Sequence, residues 1–180
     1  TPGASFQDNG FYWQTTVHAE RAFFIDRPGY MNRRDNPNSS VKSKEKVYCM
    51  NEEMQYVQKL LEKDELIWKK FRTSFALRAF HNYIFTTHRI SEEFKAEYVL
   101  SVQKILTDYL SLGMIDPILY NSTEWDQLQL LTKDPEKFLQ KYVWSVKAKK
   151  QQALKRQADA LQQLEAIKQS RTYRVGRAVL

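Results

Sequence analysis

The chain is poor in the residues that staple, turn or span. Its single cysteine, Cys49, excludes an internal disulfide framework and a multi-cysteine metal site. Only 5 glycines and 5 prolines occur in 180 residues, which argues for long elements and few tight turns. No apolar segment approaches the ~20 residues needed to cross a bilayer. Nor is there a basic start, apolar run and small-residue cleavage site of the kind that directs secretion. The expected address is therefore cytoplasmic, at most peripheral at the inner face of the membrane.

What is abundant is aromatic side chains (10 Phe, 10 Tyr, 4 Trp), enough to build a core. The net charge of +7 is uneven. Residues 140–180 hold ten Lys/Arg against Asp159 and Glu165, net +8, while the rest holds 18 basic and 19 acidic residues, net −1. The basic character belongs to the tail alone.

Residues 1–45 contain three of the prolines (Pro2, Pro28, Pro37) and the polar run Arg33–Ser40. Asp8 or Asn9 could cap a short helix over about 10–21, because their oxygens accept from the free N–H groups of a first turn. Ala22-Phe23-Phe24-Ile25-Asp26 reads as a short strand stopped by Arg27-Pro28-Gly29, and Tyr30 to Arg33 as another. This is the loop-rich end of an α/β unit, too small to bury a core alone.

From about residue 44 the period is helical. Val47, Met50, Met54, Val57 and Leu61 form one stripe. A second helix is expected over 65–88 with Ile67, Phe71, Phe75 and Ile84. A third is expected after Ser91, a good N-cap, with Tyr98, Val102, Ile105, Tyr109 and Leu112 before a stop at Gly113. Asp116-Pro117 makes a turn, and Ser122 opens a short helix with Trp125 and Leu128. Asp134-Pro135 starts a long helix to about 169. Its Val146, Ala153, Ala160 and Ile167 repeat at seven, but Lys150 and Gln157 spoil the partner positions of a coiled coil. The expected fold is mainly α: a small α/β remnant (1–45), a helical domain (46–134), and a long basic helix and tail (135–180).

Two stretches could carry chemistry. In Gln7-Asp8-Asn9-Gly10-Phe11, an Asp at a loop-to-helix junction flanked by Gly and aromatics can serve as a general base, or simply cap the helix. In Tyr30-Met31-Asn32-Arg33-Arg34-Asp35-Asn36-Pro37-Asn38-Ser39-Ser40-Val41, paired arginines followed by hydroxyl and amide donors could bind a diphosphate, or form a solvated loop.

Taken together, in order and spacing, the two stretches resemble the end of the catalytic domain of family-2 glycosyltransferases, the GT-A fold. In that family a Glu-Asp pair followed by an aromatic supplies the catalytic base, and a strand ending in Tyr-Arg leads to an Asn/Ser-rich loop. Here Gln7-Asp8 stands in place of Glu-Asp, with Phe11 after it, and Arg33 matches the arginine although Asn32 replaces the tyrosine. The loop Asp35–Val41 is similar to the form seen in a bacterial subgroup that builds surface polysaccharides, and the tail Ser170–Arg177 resembles one found in many bacterial glycosyltransferases. The resemblance covers about residues 1–45 closely and the helices more loosely.

It implies Asp8 as the base of an inverting transfer. Gln7, Phe11, Arg33, Arg34, Ser39 and Ser40 would line the substrate site, the arginine and serines near the donor diphosphate. Gln7 cannot titrate, which counts against a two-carboxylate mechanism. The partners implied are a nucleotide-sugar and a glycan or lipid-linked acceptor. The family's Asp-x-Asp motif occurs nowhere in the chain. The chain thus reads as the end of a longer enzyme, whose donor half would hold a divalent metal (Mg or Mn), and no metal site or catalysis is expected from this part alone.

Other candidates are weaker. His18, His81 and His88 lack metal-ligand spacing, and Cys49 between apolar positions reads as a packed small hydrophobe. The main rival to a transferase is a helical adaptor whose basic tail, from about residue 141, reaches an anionic membrane surface or a protein. Nucleic acid is not an expected partner, because Tyr173 is the only aromatic in residues 146–180 and stacking on single strands is poorly served.

Overall fold

The computed structural model describes residues 6, 8–29 and 48–169, and they are mainly helical, with no strand among them. They fall into two compact units, one ending at Phe138 and the other beginning at Leu139.

The first unit contains α1 (Asp8–His18), α2 (Cys49–Leu61), α3 (Glu65–Arg89), α4 (Glu92–Ser111), a 3₁₀ turn (Pro117–Leu119), α5 (Ser122–Lys133) and the single turn α6 (Pro135–Phe138). Each helix packs on the next, and α6 returns to α4. The α2 stripe is buried as its spacing predicts, through Met50, Met54, Val57 and Leu61, while Val47 lies outside the described residues. Helix α3 buries Phe75, Ala76, Ala79, Phe80 and Tyr83; the expected Ile67, Phe71 and Ile84 are only half-buried at its margins. Helix α4 turns Tyr98, Val99, Val102, Leu106 and Tyr109 inward and leaves Leu112 exposed. The rings of Trp13, Trp68 and Tyr109 all meet Phe75, with centroids 5.6, 5.9 and 6.1 Å away. Such tilted and edge contacts add to the area term of burial. Burial raises the phenols of Tyr83, Tyr98 and Tyr109, the last to about 12, so all three are neutral in the core.

The helix ends follow local chemistry. Asp64 accepts from the N–H groups of Leu66 and Ile67 at 2.9 and 3.0 Å, an N-cap that fixes the start of α3. Ser91 occupies the cap position of α4, yet its side chain makes no cap bond. The N–H of Phe94 goes instead to the Ser91 backbone carbonyl at 3.1 Å. Gly113, at φ +62, ends α4. Its N–H and that of Met114 return to the carbonyls of Leu110 and Tyr109, a Schellman closure that needs the left-handed region glycine tolerates. Asn121 and Glu124 form a reciprocal capping box, so α5 starts one residue beyond its cap at Ser122.

The strand expected over Ala22–Asp26 does not form. Residues 19–29 carry neither helix nor strand, and Phe23, Phe24 and Ile25 are 84%, 102% and 69% exposed. A strand is completed by a partner edge that takes its N–H and C=O groups, and no such edge exists among the described residues. The second expected strand, Tyr30 to Arg33, lies outside them.

The second unit begins with a π-helical stretch, Leu139–Trp144, and continues as α7, Ser145–Gln169. The long helix expected over 135–169 is helical throughout, with wider turns at 139–144, where the Ser145 hydroxyl donates back to the Lys141 carbonyl. None of the residues of α7 is buried. Among the described residues no helix is long and apolar enough to cross a membrane.

Candidate functional site

The site starts with how α1 is held. Trp13 is 3% exposed and sets its ring edgewise against Phe75 of α3, so the helix is anchored through its middle. At its start, the Gly10 N–H donates to Oε1 of Glu53, on α2, at 3.2 Å. An added Cβ at residue 10 would itself sit 3.2 Å from that oxygen, which makes glycine the residue that lets the carboxylate approach. One residue earlier, Asn9 donates through Nδ2 to the Phe6 carbonyl at 3.0 Å and accepts through Oδ1 from Asn82 Nδ2, on α3, at 3.1 Å. Asn9 is thus a tether between the incoming chain and α3 and does not serve as the expected cap. Phe6 takes φ +69, a conformation that costs an aromatic residue about 1–3 kcal/mol and that the surrounding bonds must offset.

Asp8 is the first residue of this anchored helix and is exposed. Phe11, 71% exposed, follows at i+3, so both lie on the outer face of α1 with Tyr12 and Thr15, opposite Gly10 and Trp13. The Arg78 guanidinium stands 5.9 Å over the Tyr12 ring and brings a cation to the same flank. The structure therefore brings Asp8 and Phe11 together. The other expected site residues, Gln7, Arg33, Arg34, Ser39 and Ser40, lie outside the described residues.

Glu53 escaped the sequence reading. It is 7% exposed, and burial raises its carboxyl above the usual range. The Gly10 N–H opposes that shift, and the nearby Asp8 carboxylate adds to it. The available signal was a charged residue on the apolar face of α2, directly beside Met50 and Met54.

The remaining candidates separate from this place. Cys49 is a free thiol, half-buried at the first turn of α2. His81 pairs with Glu124 at 2.9 Å, tying α3 to α5. Among the described residues no three of His, Cys, Asp and Glu converge as metal ligands. A cavity of about 260 Å³ lies at the opposite end of α1, lined by Gln14, Val17, His18, Leu61 and Ile67, and does not reach Asp8. Comparison with protein-family models, with curated proteins and with solved structures finds no match to this chain.

Proposed function

We propose that this chain is the C-terminal part of an inverting glycosyltransferase that moves a sugar from a nucleotide-sugar to a surface-polysaccharide or lipid-linked acceptor, with Asp8 as its general base. The observation that carries the reading is an exposed carboxylate on the first residue of a helix held at its start by Glu53 and Asn82 and through its middle by Phe75. A base must keep its position while its oxygens remain open to the substrate, and Asp8 meets both conditions.

In this reading the Asp8 carboxylate takes the proton of the acceptor hydroxyl as that oxygen forms a bond to the anomeric carbon. The bond from that carbon to the nucleoside diphosphate breaks, and the leaving group carries away the electron pair. Phe11, on the same face, packs against the acceptor sugar. Arg33, Arg34, Ser39 and Ser40 offer charge and donors to the diphosphate, and Gln7 a neutral hydrogen bond; these roles rest on the resemblance. A divalent cation belongs to the donor half, and no step assigned to these residues runs through it.

The uncovered run Phe23-Phe24-Ile25 supports the same reading. Three successive apolar side chains this exposed suit a strand waiting for a sheet edge contributed by the rest of a catalytic domain. The test is a transfer assay on the complete gene product with a panel of nucleotide-sugars and glycan acceptors. The expected result is acceptor-dependent release of nucleoside diphosphate with inversion at the anomeric carbon. A folded protein that releases none with any donor overturns the reading.

A further inference from the structure

None of the 25 residues of α7 is buried, and the side chains around the helix are sorted. At about 100° per residue, Val146 and Leu164 mark the centre of one stripe. Ala153, Ala160 and Ile167 lie on one side of it and Leu161 and Leu154 on the other, an arc of roughly 140°. The five larger side chains are each 47–56% exposed. Arg156 stands on one shoulder, Lys149, Lys150 and Lys168 within the arc, and Lys155 and Asp159 on the opposite face.

We propose that this face of α7 docks peripherally on an anionic lipid surface, its apolar stripe at the headgroup boundary and its lysines and arginines on the phosphates. Two observations choose that occupant. First, α7 carries six Lys/Arg against Asp159 and Glu165, and Arg171, Arg174 and Arg177 follow with no acid among residues 170–180. A second copy in register would set these like charges against each other, Lys150 facing Lys150 in the seam. Second, the arc is wider than a coiled-coil seam and contains three lysines. Lipid accommodates that arrangement, because a lysine stem can lie along the apolar boundary with its ammonium among the headgroups. The proposal is independent of the catalytic reading, and it concerns binding on the surface only.

The test is co-sedimentation of the full 180-residue chain with vesicles of phosphatidylglycerol and phosphatidylcholine, against phosphatidylcholine alone, at low and high salt. Anionic vesicles are expected to deplete the chain, and salt to release it. Adjacent residues separate a docked face from general attraction. A Lys or Arg near an anionic surface contributes about fivefold. Arg156→Glu, on the shoulder, should therefore weaken binding at least fivefold more than Lys155→Glu on the far face. Leu161→Glu with Leu164→Glu should weaken it on the order of tenfold or more, at unchanged helicity by circular dichroism; neither leucine is buried, so no core contact is lost. Absence of depletion by anionic vesicles at low salt overturns the proposal, as do equal effects of Arg156→Glu and Lys155→Glu. Concentration-dependent self-association that those leucine substitutions abolish, without lipid binding, would assign the face to a second copy instead.

Discussion

The backbone N–H of Gly10 and the carboxylate of Glu53 meet at 3.2 Å across 43 residues of sequence, and this bond joins the start of α1 to α2. It brings a buried acid near enough to the exposed Asp8 for that carboxylate to raise it further.

Glu53→Ala should cost about 1–3 kcal/mol, because it strands a buried N–H. Glu53→Gln keeps an acceptor and should stay within about 1 kcal/mol of the parent. The pH dependence has a definite sign. Burial raises the carboxyl, so the folded state holds its proton more tightly than the unfolded state. Below the unfolded value, about 4.3, both states are protonated and nothing is lost. As pH rises from there through the raised folded value, stability falls. Urea melts of the parent and Glu53→Gln across this window should diverge, with the variant flatter. Parallel profiles would show that Glu53 does not titrate differently on folding.

Capping makes a paired prediction. Asp64→Ala removes the acceptor for Leu66 and Ile67 and should cost about 1 kcal/mol. Ser91→Ala should be near neutral, because the Ser91 hydroxyl is buried without a partner and the Phe94 N–H is held by the main chain. Denaturant midpoints decide it; an equal loss for both would mean that the serine does cap in solution.

Glu124 gives an acid limb. Its carboxyl is lowered first by the Asn121 N–H and then by His81. A lowered carboxylate contributes stability above its unfolded value, about 4.3, and loses it as pH falls through the folded value. Thermal melts between pH 3 and 7 should show a shallower acid loss for Glu124→Gln than for the parent. An unchanged acid limb would mean that this pair does not govern it.

The features that were legible in the sequence are those whose cause is local. Gly113, Asp134-Pro135 and the stripe from Met50 to Leu61 each carry their reason within a few residues, and the helices follow. Glu53 was not legible, since its partner is a backbone group 43 positions away and its spacing offered only an oddity on an apolar face. The strand at Ala22–Asp26 failed for a complementary reason: its residue types suit a strand, but pairing requires a partner edge that composition cannot supply. The π-helical stretch Leu139–Trp144 depends on which carbonyl each N–H selects, and apolar periodicity does not register that choice. At the candidate site, Asp8 and Phe11 share a face because helical spacing requires it, whereas the bonds that immobilise Asp8 come from α2 and α3.

The isolated 180 residues should bind nucleotide-sugars weakly or not at all. The chain contains no Asp-x-Asp, and the described residues gather no metal-ligand cluster. Calorimetry with a panel of donors should give no saturable heat. Micromolar binding by this chain alone would place the donor site within it and contradict the proposed division of labour.

The most direct test of the proposed transfer is a single-turnover sugar-transfer assay on the complete gene product carrying Asp8→Asn. The amide keeps the size and exposure of the side chain but cannot take a proton. The account predicts a fall in transfer rate of ~10²-fold or more, with donor binding and the melting temperature close to those of the parent. A folded Asp8→Asn enzyme that transfers sugar at the parent's rate would contradict it and leave Asp8 a structural residue at the head of α1.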